Sequence, residues 1–267
     1  MIHLTQSLAI RFFKNVTCLW FAITFVGQLA FASYIFLLYW KSAALGHFDK
    51  WNTANPDFYV KGDITGNLVF GLHVVLAAVI TILGPLQLVP AIRSKAARFH
   101  RISGRIYIFS AFLISLAGLY LSWVRGGVGG LFSAVGITIN AVIIIACAFL
   151  TIKHATQRNI KLHNQWAVHL VLAVSGVWLF RVFFMLWMVI HKAPVGFDPE
   201  TFTGPFLNVL AIVVYILPQA VVALYFNAKY SDRQYKKWGF SLALFIISIG
   251  MAVGIMGAIS GMWLPRI

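Results

Sequence analysis

The chain has 267 residues, of which 61% are hydrophobic and only 10% charged, with a mean hydropathy of +0.87 and a formal net charge of +15. A soluble domain carries about a quarter charged residues, so this composition excludes a water-soluble enzyme and points to a chain dissolved in a lipid bilayer. The excess positive charge suits membrane insertion and anionic headgroups, and nucleic acid is excluded as the partner.

Seven apolar stretches, 16–40, 67–90, 104–124, 131–152, 165–190, 206–228 and 239–263, are long enough to cross a membrane, a crossing taking about 20 residues. They predict an all-α polytopic bundle of about seven helices and a single transmembrane domain over residues 1–267. The first stretch follows Arg11 and Lys14, and its length, Val16 to Trp40, reads as an uncleaved helix rather than a signal-peptide core. The connection 41–66 is the longest, and its Trp51, Phe58 and Tyr59 are expected as interfacial belt residues rather than as a folded cap. The second helix carries His73, Ile80, Gly84 and Gln87 along one face, with Pro85 near its inner end. His100 opens the third helix, where Arg98, Arg101 and Arg105 form one basic stripe and His100 shares another face with Tyr107. The turn Arg125–Gly130 is rich in glycine but lacks the strand and the Lys-Ser/Thr tail of a phosphate loop.

Asn140 lies near the middle of the fourth helix and His154 closes it. The fifth is expected as one continuous helix. His163 and Arg181 are eighteen residues apart, five full turns, and would point the same way. His169 sits one to two turns deeper than His163. Tyr215 and Pro218 belong to the sixth helix, which the proline is expected to kink. Gly250, Gly254, Gly257 and Gly261 put a glycine groove on the last helix, suited to contact within the chain or to a homo-oligomer.

Fourteen of the 21 Lys and Arg residues fall on the side of the N-terminal segment, six fall opposite, and Arg181 lies between. The positive-inside rule then predicts a cytoplasmic N-terminus and an outer C-terminus in a cell membrane, with a bacterial inner membrane expected. Cys18 and Cys147 are too few for a disulfide framework or a cysteine zinc site.

No apolar stretch contains Asp or Glu, so Arg181 has no acidic partner within the membrane. A guanidinium keeps its proton and must find acceptors or an anionic ligand. Helix positions place His73 about 8 Å below the outer surface, with Arg181 at a similar depth and Asn140 and Tyr215 somewhat deeper. These four either satisfy one another or form a site where Arg181 meets a haem propionate or a quinone oxygen. A second set, His100, His154, His163 and His169, lies toward the inner surface. Haem b takes axial nitrogens from two sides, so the candidate pairs are His100 or His154 with His163 or His169. His73 has no histidine partner at its own depth.

The set His73, Gly84-Pro85-x-Gln87, His100-Arg101-x-x-Gly104-Arg105-x-Tyr107 and His163-x-x-Trp166 followed by Arg181 resembles a family of predicted bacterial membrane proteins classed as a domain of unknown function. The resemblance covers about residues 67–185, and the His-Arg-x-x-Gly-Arg-x-Tyr element is its most specific part. His169 departs from it, since the family is expected to carry Arg there. The resemblance implies the topology and the choice of residues but no activity. Four core helices with terminal histidines are also broadly similar to the b561-type membrane cytochromes, as a fold-level analogy.

The first functional expectation is an electron-transfer protein binding haem b or exchanging electrons with a quinone or a redox partner. The alternatives are a permease for a small anion or lipid-like molecule, and a non-catalytic membrane assembly protein. No Ser-His-Asp set, paired carboxylates or HExxH spacing is present at membrane depth, so no catalytic residue is assigned.

Overall fold

In hydrocarbon each backbone N–H and C=O must be paired inside the chain, which long apolar stretches achieve only by coiling into helices. The computed structural model describes residues 2–267, with side chains from Leu8 onward. Helix α1 (Ile2–Ile35) runs through a π-turn at Phe36–Trp40 into the short α2 (Lys41–Ala44). Then come α3 (Ile64–Leu88), the short α4 (Pro90–Lys95), α5 (Ala97–Trp123) and α6 (Gly130–Thr156). The remainder is α7 (Ile160–Val174), α8 (Gly176–His191), α9 (Pro205–Tyr230) and α10 (Gln234–Ala258). Six segments are long and apolar enough to cross a membrane singly, and α7 with α8 are so only together, bent by 55° at their junction, which gives six to seven crossings. The chain is thus a multi-pass membrane bundle, and among the described residues there is no strand.

The bend corrects the expectation of a straight fifth helix. Ser175 and Gly176 interrupt it: Ser175 has ψ near 0°, and its hydroxyl bonds back to the Val171 carbonyl at 2.8 Å. Ser-Gly pairs and hydroxyls that enter the backbone ladder are ordinary causes of kinks. Arg181 and His163 therefore do not share one continuous helix face. Pro218, by contrast, lies inside α9 without interrupting it.

The connection 41–66 is also not a set of belt residues. Trp51 is 5% exposed and its indole N–H donates to the Tyr39 carbonyl at 3.1 Å. Phe58 stacks on Phe70 of α3 at 4.5 Å, so the segment closes over the outer end of α1 and α3 as a cap. Arg125 ties the cap down. It donates to the carbonyls of Phe58 and Gly66 and to Asn67 Oδ1, and pairs with Asp63 at 3.3 Å. Asp63 also caps α3 through the Gly66 N–H. Arg125→Ala leaves these acceptors unmatched and is expected to cost about 2 kcal/mol; thermal unfolding together with faster proteolysis of 46–62 checks it.

The glycine groove of α10 faces α8 of the same chain. A Cβ at Gly254 would collide with the Val182 carbonyl oxygen, and one at Gly257 would stand 2.8 Å from Val189 Cγ2. Gly250 and Gly261 meet Leu186 and Met185. All four glycines serve internal packing, so of the two contacts the groove suited, within the chain or between copies, the structure shows the intrachain one. Two larger layers result: α1, α8 and α10 beside α3, and α5, α6, α7 and α9 beside α3.

Candidate functional site

Small residues at helix crossings bring the outer polar groups together. His73 leaves α3 toward Gly118 of α5 and Ile137 of α6, both within ordinary contact distance of that crossing. Its Nδ1 is buried with no hydrogen-bond partner. On α6, Gly136 admits the α9 backbone at Ala211 and the ring of Tyr215, so closely that a Cβ would strike the Ala211 carbonyl. Gly176, just past the bend, meets the same ring from the other side: its Cβ would lie 2.6 Å from Tyr215 Cδ1 and 3.2 Å from Asn140 Nδ2. Asn140 is 6% exposed, and its Oδ1, like His73 Nδ1, has no partner.

Arg181 follows the bend by just over a turn. Its Nη1 donates to the Val177 carbonyl at 3.0 Å, and the guanidinium lies 5.5 Å from the centre of the Phe31 ring. Gly176, five residues before Arg181 on α8, lies against Tyr215 and Asn140, and Ile137, three residues before Asn140 on α6, lies with His73 beside Gly118. The polar groups do not satisfy one another: Asn140 Oδ1 and His73 Nδ1 stay open, and the one protein hydrogen bond made by Arg181 is to its own helix. These residues, called the outer chamber below, offer cationic N–H donors, a bare amide acceptor and an imidazole nitrogen able to play either role.

The inner set is arranged differently. His163 Nδ1 lies 3.0 Å from the Thr151 carbonyl, which can only accept, so Nδ1 carries the proton and Nε2 is left free. His169 Nδ1 meets Gln219 Oε1 at 2.8 Å. His100 lies near enough to His163 for their charges to interact, and the Nδ1 atoms of His100 and His154 are buried without partners. The residues that carry the family resemblance mostly build the α3–α5 seam. Gln87 Nε2 donates to Ser103 Oγ at 2.7 Å, the Ser103 hydroxyl donates to the Phe99 carbonyl, and Gly84 admits the Tyr107 ring. Gly104 leaves room for the Gln87 carbonyl. Arg101 and Arg105 are exposed.

For haem b, the donor chemistry of the inner set fits, because axial histidines commonly donate Nδ1–H to a carbonyl and coordinate through Nε2. The bundle interior between this set and His73 is filled by Tyr107, Ala111, Ile114, Ile144, Cys147 and Leu170. A macrocycle would therefore sit at the basic margin of the bundle rather than in its centre. Among the described residues no group of three or more His, Cys, Asp or Glu side chains could hold a metal ion.

Sequence reading missed Gly136, Gly176, Gly118 and Phe31, which shape the outer chamber. The only available signal was a small residue near the level of a polar one on a neighbouring helix, and that requires knowing which helices touch.

The family described as "Predicted membrane protein (DUF2306)" matches residues 70–226. The match runs beyond the 67–185 segment read from the sequence and takes in most of α9, including Tyr215. No curated protein and no solved structure matches the chain.

Proposed function

The chain belongs to the DUF2306 family of predicted membrane proteins, and we propose that it binds the headgroup of a quinone in the outer chamber and serves quinone-linked electron transfer. The observation that supports this reading is that Asn140 Oδ1 and His73 Nδ1 are buried without partners while Arg181, at membrane depth, bonds only to its own helix. A small inorganic anion would suit Arg181 but would set negative charge against the bare amide oxygen of Asn140. A quinone carbonyl accepts from Arg181, while the hydroxyl of the reduced form donates to Asn140 Oδ1 or His73 Nδ1. Both kinds of orphan are then matched, which buried polar groups require. Oxidation of a quinol releases two electrons and two protons. One proton would go to His73 Nδ1 and the other to water at the membrane surface, and both electrons would pass to an external redox partner that is reduced.

The test is a binding titration of the detergent-purified protein with a short-chain ubiquinone, followed by tryptophan fluorescence. Asn140→Leu is expected to weaken binding about tenfold or more while leaving the melting temperature unchanged or higher, since it removes an unsatisfied buried oxygen. Equal binding by parent, His73→Ala and Asn140→Leu sinks the proposal.

Haem b between His100 and His163 is a second reading, supported by the committed Nδ1 of His163. Bound haem would supply one-electron redox chemistry. This reading predicts a Soret band in the purified protein that disappears in His163→Ala; a protein that stays colourless after haem is supplied overturns it.

A further inference from the structure

At the basic face, far along α7 and α9 from the outer chamber, a groove of about 580 Å³ opens between the start of α7, the end of α9 and the α9–α10 link. Gln165, His169, Asn227, Tyr230, Ser231 and Lys236 contribute its polar wall, and Ala223 and Phe226 its apolar one. No acidic side chain lines it.

The hydrogen bonds around the groove have a common direction. Lys236 Nζ donates to Asn227 Oδ1 at 2.9 Å, which uses the acceptor of that amide and turns its Nδ2 outward. Ser231 Oγ accepts the Arg233 N–H at 3.1 Å, which leaves its hydroxyl proton free to donate. Lys237 donates to the carbonyls of Ala228 and Ser231, so those two acceptors are already engaged. Lys161 stands 4.4 Å above the Tyr230 ring, and Lys229 lies 5.7 Å from its centre, fixing that wall between two further cations. Acceptors are consumed within the protein and donors are left facing the groove. His169 Nε2 is left as an acceptor, because His169 Nδ1–H is held by Gln219, and Gln165 adds an amide to the same wall.

We propose that this groove binds a phosphate ester head, its anionic oxygens on Lys236, Asn227 and Ser231 and a neighbouring hydroxyl on His169. Donors preset around a cation recognise phosphate oxygens strongly, and basic pockets between membrane helices at the basic face are suited to anionic lipid heads. The apolar wall at Ala223 and Phe226 would receive the start of an acyl chain if the ester is a lipid. The ligand class can be met by phosphatidylglycerol or by a soluble ester such as glycerol 3-phosphate.

The experiment uses the full chain, delipidated in detergent. Native mass spectrometry with phosphatidylglycerol against phosphatidylcholine reads the lipid, and calorimetric titration with glycerol 3-phosphate reads the soluble ester. Selective retention of phosphatidylglycerol, weakened about tenfold in Lys236→Gln by loss of one charge-assisted bond, supports the site with a lipid ligand. Binding of glycerol 3-phosphate with the same sensitivity, and no preference between the lipids, supports it with a soluble ligand. Asn227→Ala carries the same expectation should Lys236→Gln fail to fold. Binding of neither probe, or equal binding by parent and variants, overturns the proposal.

Discussion

Arg181→Leu is expected to lower quinone affinity about a hundredfold while raising the thermal stability of the ligand-free protein. The two effects have opposite signs because the guanidinium at membrane depth serves the proposed ligand rather than the fold. Its one hydrogen bond to protein goes to Val177 of its own helix, and its other contact is the Phe31 ring. Holding an arginine at membrane depth costs about 2.5–3.5 kcal/mol, a cost that leucine removes. Loss of a preorganised cationic donor weakens binding of the oxygen it would hold by about 10²-fold. Paired melting curves with and without short-chain ubiquinone read both effects. If Arg181 instead holds helices together, Arg181→Leu lowers the melting temperature and the quinone shift is lost only in proportion to the folded fraction. Arg181→Lys is expected to recover part of the affinity, since charge returns without the planar fork.

Residue order alone exposed the crossings and the polar groups at depth, because both follow from the chemistry of single residues. An apolar run of sufficient length has few other structures open to it, and an arginine without acids nearby announces itself. The partners of those groups were not legible. Asn140 and Arg181 were expected as possible mates, yet the Asn140 amide packs against Gly176 and Tyr215, an arrangement created by the bend at Ser175. That bend has only a Ser-Gly pair as its sequence signal, and such pairs occur in straight helices as well. The same gap explains the cap. Trp51, Phe58 and Tyr59 have the composition of belt residues, and only the Trp51 bond to Tyr39 and the reach of Arg125 to Phe58, Gly66 and Asn67 turn them into packed structure. The glycine groove of α10 was visible as a spacing, but a spacing names a face and not its neighbour.

That neighbour decides the second large effect. Gly254→Val is expected to prevent folding or to lower stability by more than the roughly 1–3 kcal/mol of ordinary overpacking. The obstacle is the backbone carbonyl of Val182, with Val182 Cγ1 only 3.0 Å from the Cβ position. A side chain in the way can change rotamer; a helix carbonyl moves only if α8 moves. Gly250→Ala meets the flexible end of Leu186 at 3.3 Å and is expected to cost far less, and Gly239→Ala, with open space around it, is expected to be neutral or slightly stabilising. A graded series of melting temperatures in that order checks the assignment. Were the groove instead a contact between two copies, all three variants would fold alike and differ in molecular mass on the column. Because α8 carries both Val182 and Arg181, any Gly254 variant that folds must displace α8, and it is expected to lose quinone affinity without touching a single polar group of the chamber.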